Sequence, residues 1–126
     1  MREILFRGQR QSDCKWIYGD LLQPTEICDI YEISDCESID GSRYDVIEYT
    51  IGQYTGLKDK NGTKIFEGDI VKYRLEDHKT RELYYENFVV VWQEETASYT
   101  IRNDNKGTLC IDYVPRSGEV IRKYIW

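Results

Sequence analysis

The chain has 126 residues, of which 40% are hydrophobic and 32% charged. This length and composition fit a globular protein of one domain or two small all-β units, and they exclude a disordered chain. The 23 acidic and 17 basic residues give a net charge of −6. That balance disfavours binding to duplex nucleic acid, which relies on clustered Lys and Arg. A net charge of −6 is also too small for the chain to imitate the polyphosphate of DNA.

Strands are predicted along the first 51 residues, because apolar residues recur there with a period of two. An opening strand carries Ile4 and Phe6 on the face opposite Arg7, and a second strand runs over residues 16–22. Two more are predicted over 27–33 and 44–51, with a polar loop over 34–42 between them. These four segments predict an antiparallel β region.

Five further strands are predicted after residue 69. Val71, Tyr73 and Leu75 alternate with basic residues, as in a half-buried strand. Residues 83–92 are more apolar and are predicted to form the central strand, covered on both faces. The remaining strands are predicted over 99–102, 109–114 and 120–125. No stretch has helical spacing, so little helix is expected.

Turn residues agree with this reading. Asn61-Gly62 and Asn105-Lys106-Gly107 supply the positive φ angles that tight hairpins require. The glycine-rich segment 52–68 separates the two groups of strands and is the predicted junction. Residues 1–55 would then form one region and 56–126 another, or the two would form one compact unit.

Location in the cytoplasm is the expectation from the absence of a recognisable signal or membrane-spanning segment. Thiols stay reduced in that compartment. Cys14, Cys28, Cys36 and Cys110 include no C-x-x-C pair, so no zinc site and no disulfide framework are predicted.

One long block carries a family resemblance. Residues 50–71 read TIGQYTGLKDKNGTKIFEGDIV, with regularly placed glycines. Together with the opening MREILFRG and the WIYGDL of residues 16–21, this block resembles the YopX family of small proteins encoded by bacteriophages and prophages. The residues that match its pattern are Gly52, Gln53, Tyr54, Thr55, Gly56, Leu57, Asp59, Asn61, Gly62, Glu67, Gly68 and Asp69, with Trp16, Gly19 and Asp20 from the earlier strand.

The resemblance implies no established activity, substrate or catalytic residue. It implies an SH3-like β roll in the C-terminal part, so the fold expected is mainly β, with an N-terminal antiparallel β region, an SH3-like β roll and little helix. Family members often end in an E-V-I-G-N-I-Y-E-N-like stretch, whereas residues 119–126 read EVIRKYIW. Residues 122–126 therefore depart from the family pattern.

Several chemical alternatives stand beside a structural role for the block. Residues 67–71 read as a strand-entry turn, in which Gly68 permits the turn and the acids can cap exposed amides. Asp59, Glu67 and Asp69 can instead form a carboxylate cluster for a metal or for acid–base work, but solvated turn residues are the commoner case. The glycine spacing matches no phosphate-binding loop. His78, the single histidine, can pair with Cys110, Cys14 or Cys36 as a nucleophile, although a histidine in a charged loop is usually solvated.

No catalytic residue, cofactor or metal is therefore predicted. The first expectation is a non-catalytic phage or prophage accessory protein that binds protein partners and can self-associate through strand edges. The second is a binder of single-stranded nucleic acid or nucleoprotein that uses the SH3-like half. Tyr54, Tyr84, Tyr85 and the tryptophans can form a stacking platform, although a place in the strand core is the commoner role for such aromatics. An enzyme is the third alternative. Contact with a membrane is not expected.

Overall fold

The computed structural model describes residues 3–122, with the backbone alone for Tyr113 and Arg122. Contacts between Cα atoms group the chain into two compact units, Met1–Tyr54 (the N-terminal unit) and Thr55–Trp126 (the C-terminal unit). The predicted division into 1–55 and 56–126 differs from this one by a single residue.

The N-terminal unit is an antiparallel sheet. Its strands are β1 (Phe6–Gln9), β2 (Trp16–Leu22), β3 (Glu32–Asp35), β4 (Arg43–Asp45) and the beginning of β5 (Gly52–Lys58), in the order β4-β3-β2-β1-β5. A 3-10 helix, Glu48–Thr50, precedes β5. Alternation places Ile17, Ile33 and Val46 on one face, where they form the buried core of this unit.

Two predicted strands of this unit are partly wrong. Residues 27–31 of the predicted strand 27–33 form no strand, and Ile27 is 99% exposed. The Thr25 hydroxyl accepts the N–H of Cys28 at 3.1 Å, which stabilises a turn in place of a strand. The predicted strand 44–51 ends early. There the Thr50 hydroxyl donates to the carbonyl of Ile47 at 2.6 Å and closes the 3-10 turn.

The C-terminal unit contains β6 (Lys64–Phe66) and a five-stranded antiparallel sheet. The strands of that sheet are β7 (Ile70–Glu76), β8 (Leu83–Gln93), β9 (Ser98–Asn103), β10 (Gly107–Cys110) and β11 (Gly118–Arg122), in the order β10-β9-β8-β7-β11. A 3-10 helix, Ile111–Tyr113, and a short α1 (Val114–Ser117) join β10 to β11. The buried core consists of Ile65, Val71, Phe88, Val90, Ile101, Ile111 and Val114.

The central position predicted for β8 is confirmed, but its cover on both faces is wrong. Phe88 and Val90 are fully buried on the core side. Val89 and Val91 on the opposite side are only half-buried, and Tyr85 on that same side is 54% exposed. The side of the sheet opposite its core therefore meets solvent over part of its area.

Two further strand predictions need comment. The predicted strand 109–114 ends at Cys110, where the 3-10 helix Ile111–Tyr113 begins. Pro115 follows in the first turn of α1, a position that proline tolerates in a helix. In the predicted strand 120–125, β11 ends at Arg122 and residues 123–125 lie outside the described residues.

A mainly β fold with little helix is confirmed, since α1 has four residues. The SH3-like form of the second half stays a prediction. Within residues 3–122, no helix is long and apolar enough to cross a bilayer.

Candidate functional site

The first turn of the block 50–71 is built around Asp59. Its Oδ1 accepts the N–H groups of Asn61 and Thr63, each at 2.9 Å, and its Oδ2 accepts the N–H of Val120 in β11 at 2.8 Å. Asp59 is 5% exposed. The expectation that this carboxylate is solvated is therefore wrong, because its oxygens bond amides from two parts of the chain. Gly62 has φ +84°, which confirms the predicted turn.

The second turn of the block has a similar construction. Asp69 is fully buried, and its Oδ2 accepts the N–H of Phe66 at 2.8 Å. The backbone of the turn is joined to β8, because the Gly68 N–H donates to the Val90 carbonyl at 2.8 Å and the Val90 N–H donates to the Asp69 carbonyl at 2.9 Å. The carboxylate of Asp69 caps an amide of the strand-entry turn, as the structural interpretation of this turn has it, but the acid is buried and not solvated. Glu67 is half-buried, and this burial raises the pKa of its carboxyl.

Strand β5 carries the first part of the block. Gly52 and Gln53 pair with β1. Tyr54 is buried, and its N–H donates to the carbonyl of Leu5 at 2.8 Å. Further along, the Thr55 hydroxyl donates to the carbonyl of Ile65 at 2.8 Å. The last two motif residues on this strand are Gly56, which has φ +89°, and Leu57, which packs against the core of the C-terminal unit.

The earlier motif residues lie on β2. Gly19 is required by close packing, since a Cβ there would lie 1.8 Å from the carbonyl oxygen of Ser34. Trp16 lies beneath the guanidinium of Arg7, whose carbon is 4.6 Å from the ring centroid. Asp20 is exposed. The sequence placed Arg7 on the polar face, yet only 1% of it is exposed, and a charged residue in an alternating strand gave no signal of this burial.

The residues proposed for catalysis or metal binding do not converge. Within the described residues, no group of three or more His, Cys, Asp and Glu side chains could hold a metal ion. None of the four cysteines forms a disulfide, and all four lie at exposed positions. His78 lines a groove in the C-terminal unit together with Leu75, Tyr84 and Lys106. A hydrogen bond from Lys106 to Tyr84 raises the pKa of the lysine in this groove.

A second surface was not predicted as a site, and it lies on the side of the five-stranded sheet opposite the core. We call it the outer face. Strand pairing puts Arg74 beside Tyr85 and Lys72 beside Asn87, and it puts Arg102 of β9 opposite Val89, two residues beyond Asn87 on β8. Tyr85 is 54% exposed, and the Lys72 ammonium lies 4.6 Å from its ring centroid.

The outer face is locally basic. Two carboxylates of the same sheet have other partners: Glu76 pairs with Arg81 at 3.3 Å, and Glu119, which lies opposite Lys72 in the strand pairing, pairs with Lys60 at 3.7 Å. In the part of the chain that the structure describes, no ion pair involves Lys72, Arg74 or Arg102. The three cations on this face therefore remain available to an anionic ligand.

The N-terminal unit presents the opposite charge. Met1–Tyr54 contains eleven acidic and five basic residues, whereas Thr55–Trp126 contains twelve of each. Two of the acids, Glu26 and Asp29, lie in the irregular segment 23–31 between β2 and β3, where Ile27 and Ile30 are exposed by 99% and 39%. A contiguous apolar patch rimmed by polar residues marks a protein-binding surface, whereas single exposed apolar residues are common on any surface.

Comparison with known proteins agrees with the resemblance seen in the sequence. A family model described as YopX protein matches residues 5–121. A search of curated proteins found no match.

Proposed function

The chain belongs to the YopX protein family, and from its surfaces we propose that it is a non-catalytic accessory protein of a phage or prophage. It acts in the bacterial cytoplasm by binding a protein partner. The binding surface is the irregular segment 23–31 of the N-terminal unit. The partner presents basic residues around an apolar patch.

Charge segregation carries this proposal. The whole net charge of −6 resides in the N-terminal unit, while the C-terminal unit is neutral by its side chains. A one-sign field of this kind accelerates encounter with a surface of opposite sign. Ile27 and Ile30 then supply apolar area to bury, at about 25 cal/mol for each Å² removed from water.

Quantitative affinity capture tests the proposal. The full chain, an Ile27→Ser/Ile30→Ser variant and an Ile39→Ser control are used as baits in cells whose prophage has been induced. Ile39 is also fully exposed, but it lies in the loop between β3 and β4. We expect a basic protein to be captured by the wild type and the control and lost from the double variant. Identical protein sets from all three baits would contradict the assignment.

The outer face of the C-terminal unit favours a second function, binding of single-stranded nucleic acid. Tyr85 offers a ring on which a base can stack, Lys72 and Arg74 lie next to it, and Arg102 lies further along the same face, opposite Val89, where it can contact a following phosphate. A stacked base contributes about 1–3 kcal/mol. Only one exposed tyrosine lies among these cations, so this remains the second candidate.

Fluorescence polarisation with a short labelled oligo-dT strand tests the second function. Tyr85→Ala is expected to weaken binding about tenfold, and Arg74→Gln to reduce the dependence of binding on salt. Tyr49→Ala is the matched control, because Tyr49 is an exposed tyrosine of the N-terminal unit. Binding that is absent, or equal in all variants, would exclude this function for the outer face.

A further inference from the structure

The end of the outer face near the β8–β9 turn contains a groove of about 420 Å³. Val91 and Thr100 are opposite each other in the strand pairing and form its floor. Around them lie Gln93, Glu94, Glu95, Arg102 and Thr108. All of these residues belong to the C-terminal unit, so the groove is formed by one sheet and its turn.

Thr100 is the residue of this groove that bears most directly on ligand binding. Its side chain is almost fully removed from solvent, with the residue 9% exposed, and yet its hydroxyl has no hydrogen-bond partner among the described residues. A buried hydroxyl without a partner costs about 1–3 kcal/mol. Because Thr100 lines the groove but less than 1 Å² of its hydroxyl oxygen is exposed, a ligand can supply the missing partner once a small shift of the lining side chains uncovers that oxygen.

The charges around the groove restrict the chemistry of that ligand. The Arg102 guanidinium on one side donates hydrogen bonds, while Glu94 and Glu95 at the turn present two carboxylates. A phosphate would meet one cation and two anions here, so a nucleic acid strand is disfavoured. A ligand with carbonyl acceptors at one end and a cation at the other matches the groove.

We propose that this groove binds an extended peptide segment of a partner protein, with a Lys or Arg side chain directed towards Glu94 and Glu95. Carbonyl groups of the segment accept hydrogen bonds from Arg102 and Thr100. This inference rests on the proposed function, in which the chain acts by binding protein. It adds a second contact surface on the C-terminal unit and specifies the recognised sequence chemistry.

Peptide selection tests the inference. A displayed library of short random peptides is selected on the full chain, and the enriched peptides are measured by fluorescence polarisation. We expect enrichment of Lys or Arg, and affinities reduced about threefold to tenfold by Thr100→Val, which removes one hydrogen-bonding group without changing the shape of the side chain. Glu95→Gln should remove the preference for basic peptides.

The controls separate binding from folding. Thr63→Val makes the same chemical change in the turn held by Asp59, outside the groove, and should leave peptide affinity unchanged. Thr100→Val should keep or raise the melting temperature, since it deletes an unpartnered hydroxyl. Arg74→Gln alters an outer-face cation that does not line the groove and should also leave peptide affinity unchanged.

Three results would overturn the inference: no enrichment of basic peptides, equal peptide affinity for wild type and Thr100→Val, or displacement of the peptide by oligo-dT. These outcomes are distinct from failure of the proposed function. Suppose that the Thr100→Val variant still captures from cells the partner that depends on Ile27 and Ile30. The groove would then be excluded as a binding surface, and the proposed function would stand.

Discussion

Asp59 and Asp69 of the C-terminal unit use their carboxylates in the opposite way to Glu26 and Asp29 of the N-terminal unit. In the C-terminal unit, Asp59 and Asp69 are buried, and their carboxylates accept backbone N–H groups. In the N-terminal unit, Glu26 and Asp29 are exposed on an irregular segment beside isoleucines. A carboxylate surrounded by amides contributes stability, whereas a carboxylate in water contributes charge to the surface. Burial therefore decides the role of the side chain.

Their cores differ as well. Among the described residues, the buried cluster of the C-terminal unit contains seven side chains and that of the N-terminal unit contains three. The smaller cluster contributes less hydrophobic stabilisation, in proportion to the apolar area that it buries. The N-terminal unit therefore depends more on close backbone packing, as at Gly19. The following changes test whether this contrast holds.

Gly19→Ala should have the largest effect. The added Cβ would lie 1.8 Å from the Ser34 carbonyl oxygen, so β2 and β3 would have to separate. We expect a loss of about 3–5 kcal/mol of unfolding free energy, at the upper end of overpacking effects. Chemical denaturation measures it. Gly41→Ala is the control, because Gly41 has φ +69° but open space around it and should lose only about 1 kcal/mol. Equal losses in the two variants would show that β2 and β3 tolerate the added atom.

Asp59→Ala should be next, with a loss of about 2–4 kcal/mol, because three backbone N–H groups lose a charged acceptor. Asp20→Ala removes an exposed motif carboxylate of the other unit and should change stability by less than about 0.5 kcal/mol. Urea unfolding of both variants gives the comparison. If Asp20→Ala were the more harmful change, the contrast between buried and exposed carboxylates would be refuted.

Gly62→Val and Gly68→Val should each cost about 1–3 kcal/mol, the scale of strain at backbone positions with positive φ. The φ angles are +84° and +91°. Gly62 has open space around a Cβ, so its cost reports backbone strain alone. Thermal and chemical unfolding of the two variants measure the effect. If the variants kept wild-type stability but lost partner binding, residues 50–71 would instead be a functional site.

Glu67→Gln should have the smallest effect, and it depends on pH. Burial raises the folded-state pKa of Glu67, so ionisation costs stability as pH rises from the unfolded-state value of about 4.5 to the higher folded-state value. The variant should therefore be more stable than wild type at neutral pH, by less than about 1 kcal/mol, and equal to it well below pH 4.5. Unfolding at both pH values gives the difference. A variant that is less stable at neutral pH would show that the ionised carboxylate is favoured.

The sequence predicted those parts of the molecule that depend on local chemistry. Period-two alternation located β2, β7, β8 and β9, and Asn-Gly and Asn-Lys-Gly located two turns whose glycines, Gly62 and Gly107, have positive φ. The prediction was wrong where short-range side-chain bonds replaced a strand, as at Thr25 and Thr50. Such bonds compete with sheet pairing over a few residues and leave the hydrophobic pattern unchanged.

By itself, then, the sequence determined the mainly β fold, the family and the positions of tight turns, because these follow from periodicity and from the few residue types that adopt positive φ. Only the tertiary structure decided which charges are buried. The third amide bound by Asp59 comes from Val120, 61 residues away, and Arg7 is enclosed over Trp16. Strand register likewise assembled the outer face and the groove around Thr100 from three strands. Burial and convergence of distant residues depend on pairing across the whole chain, which no local pattern records.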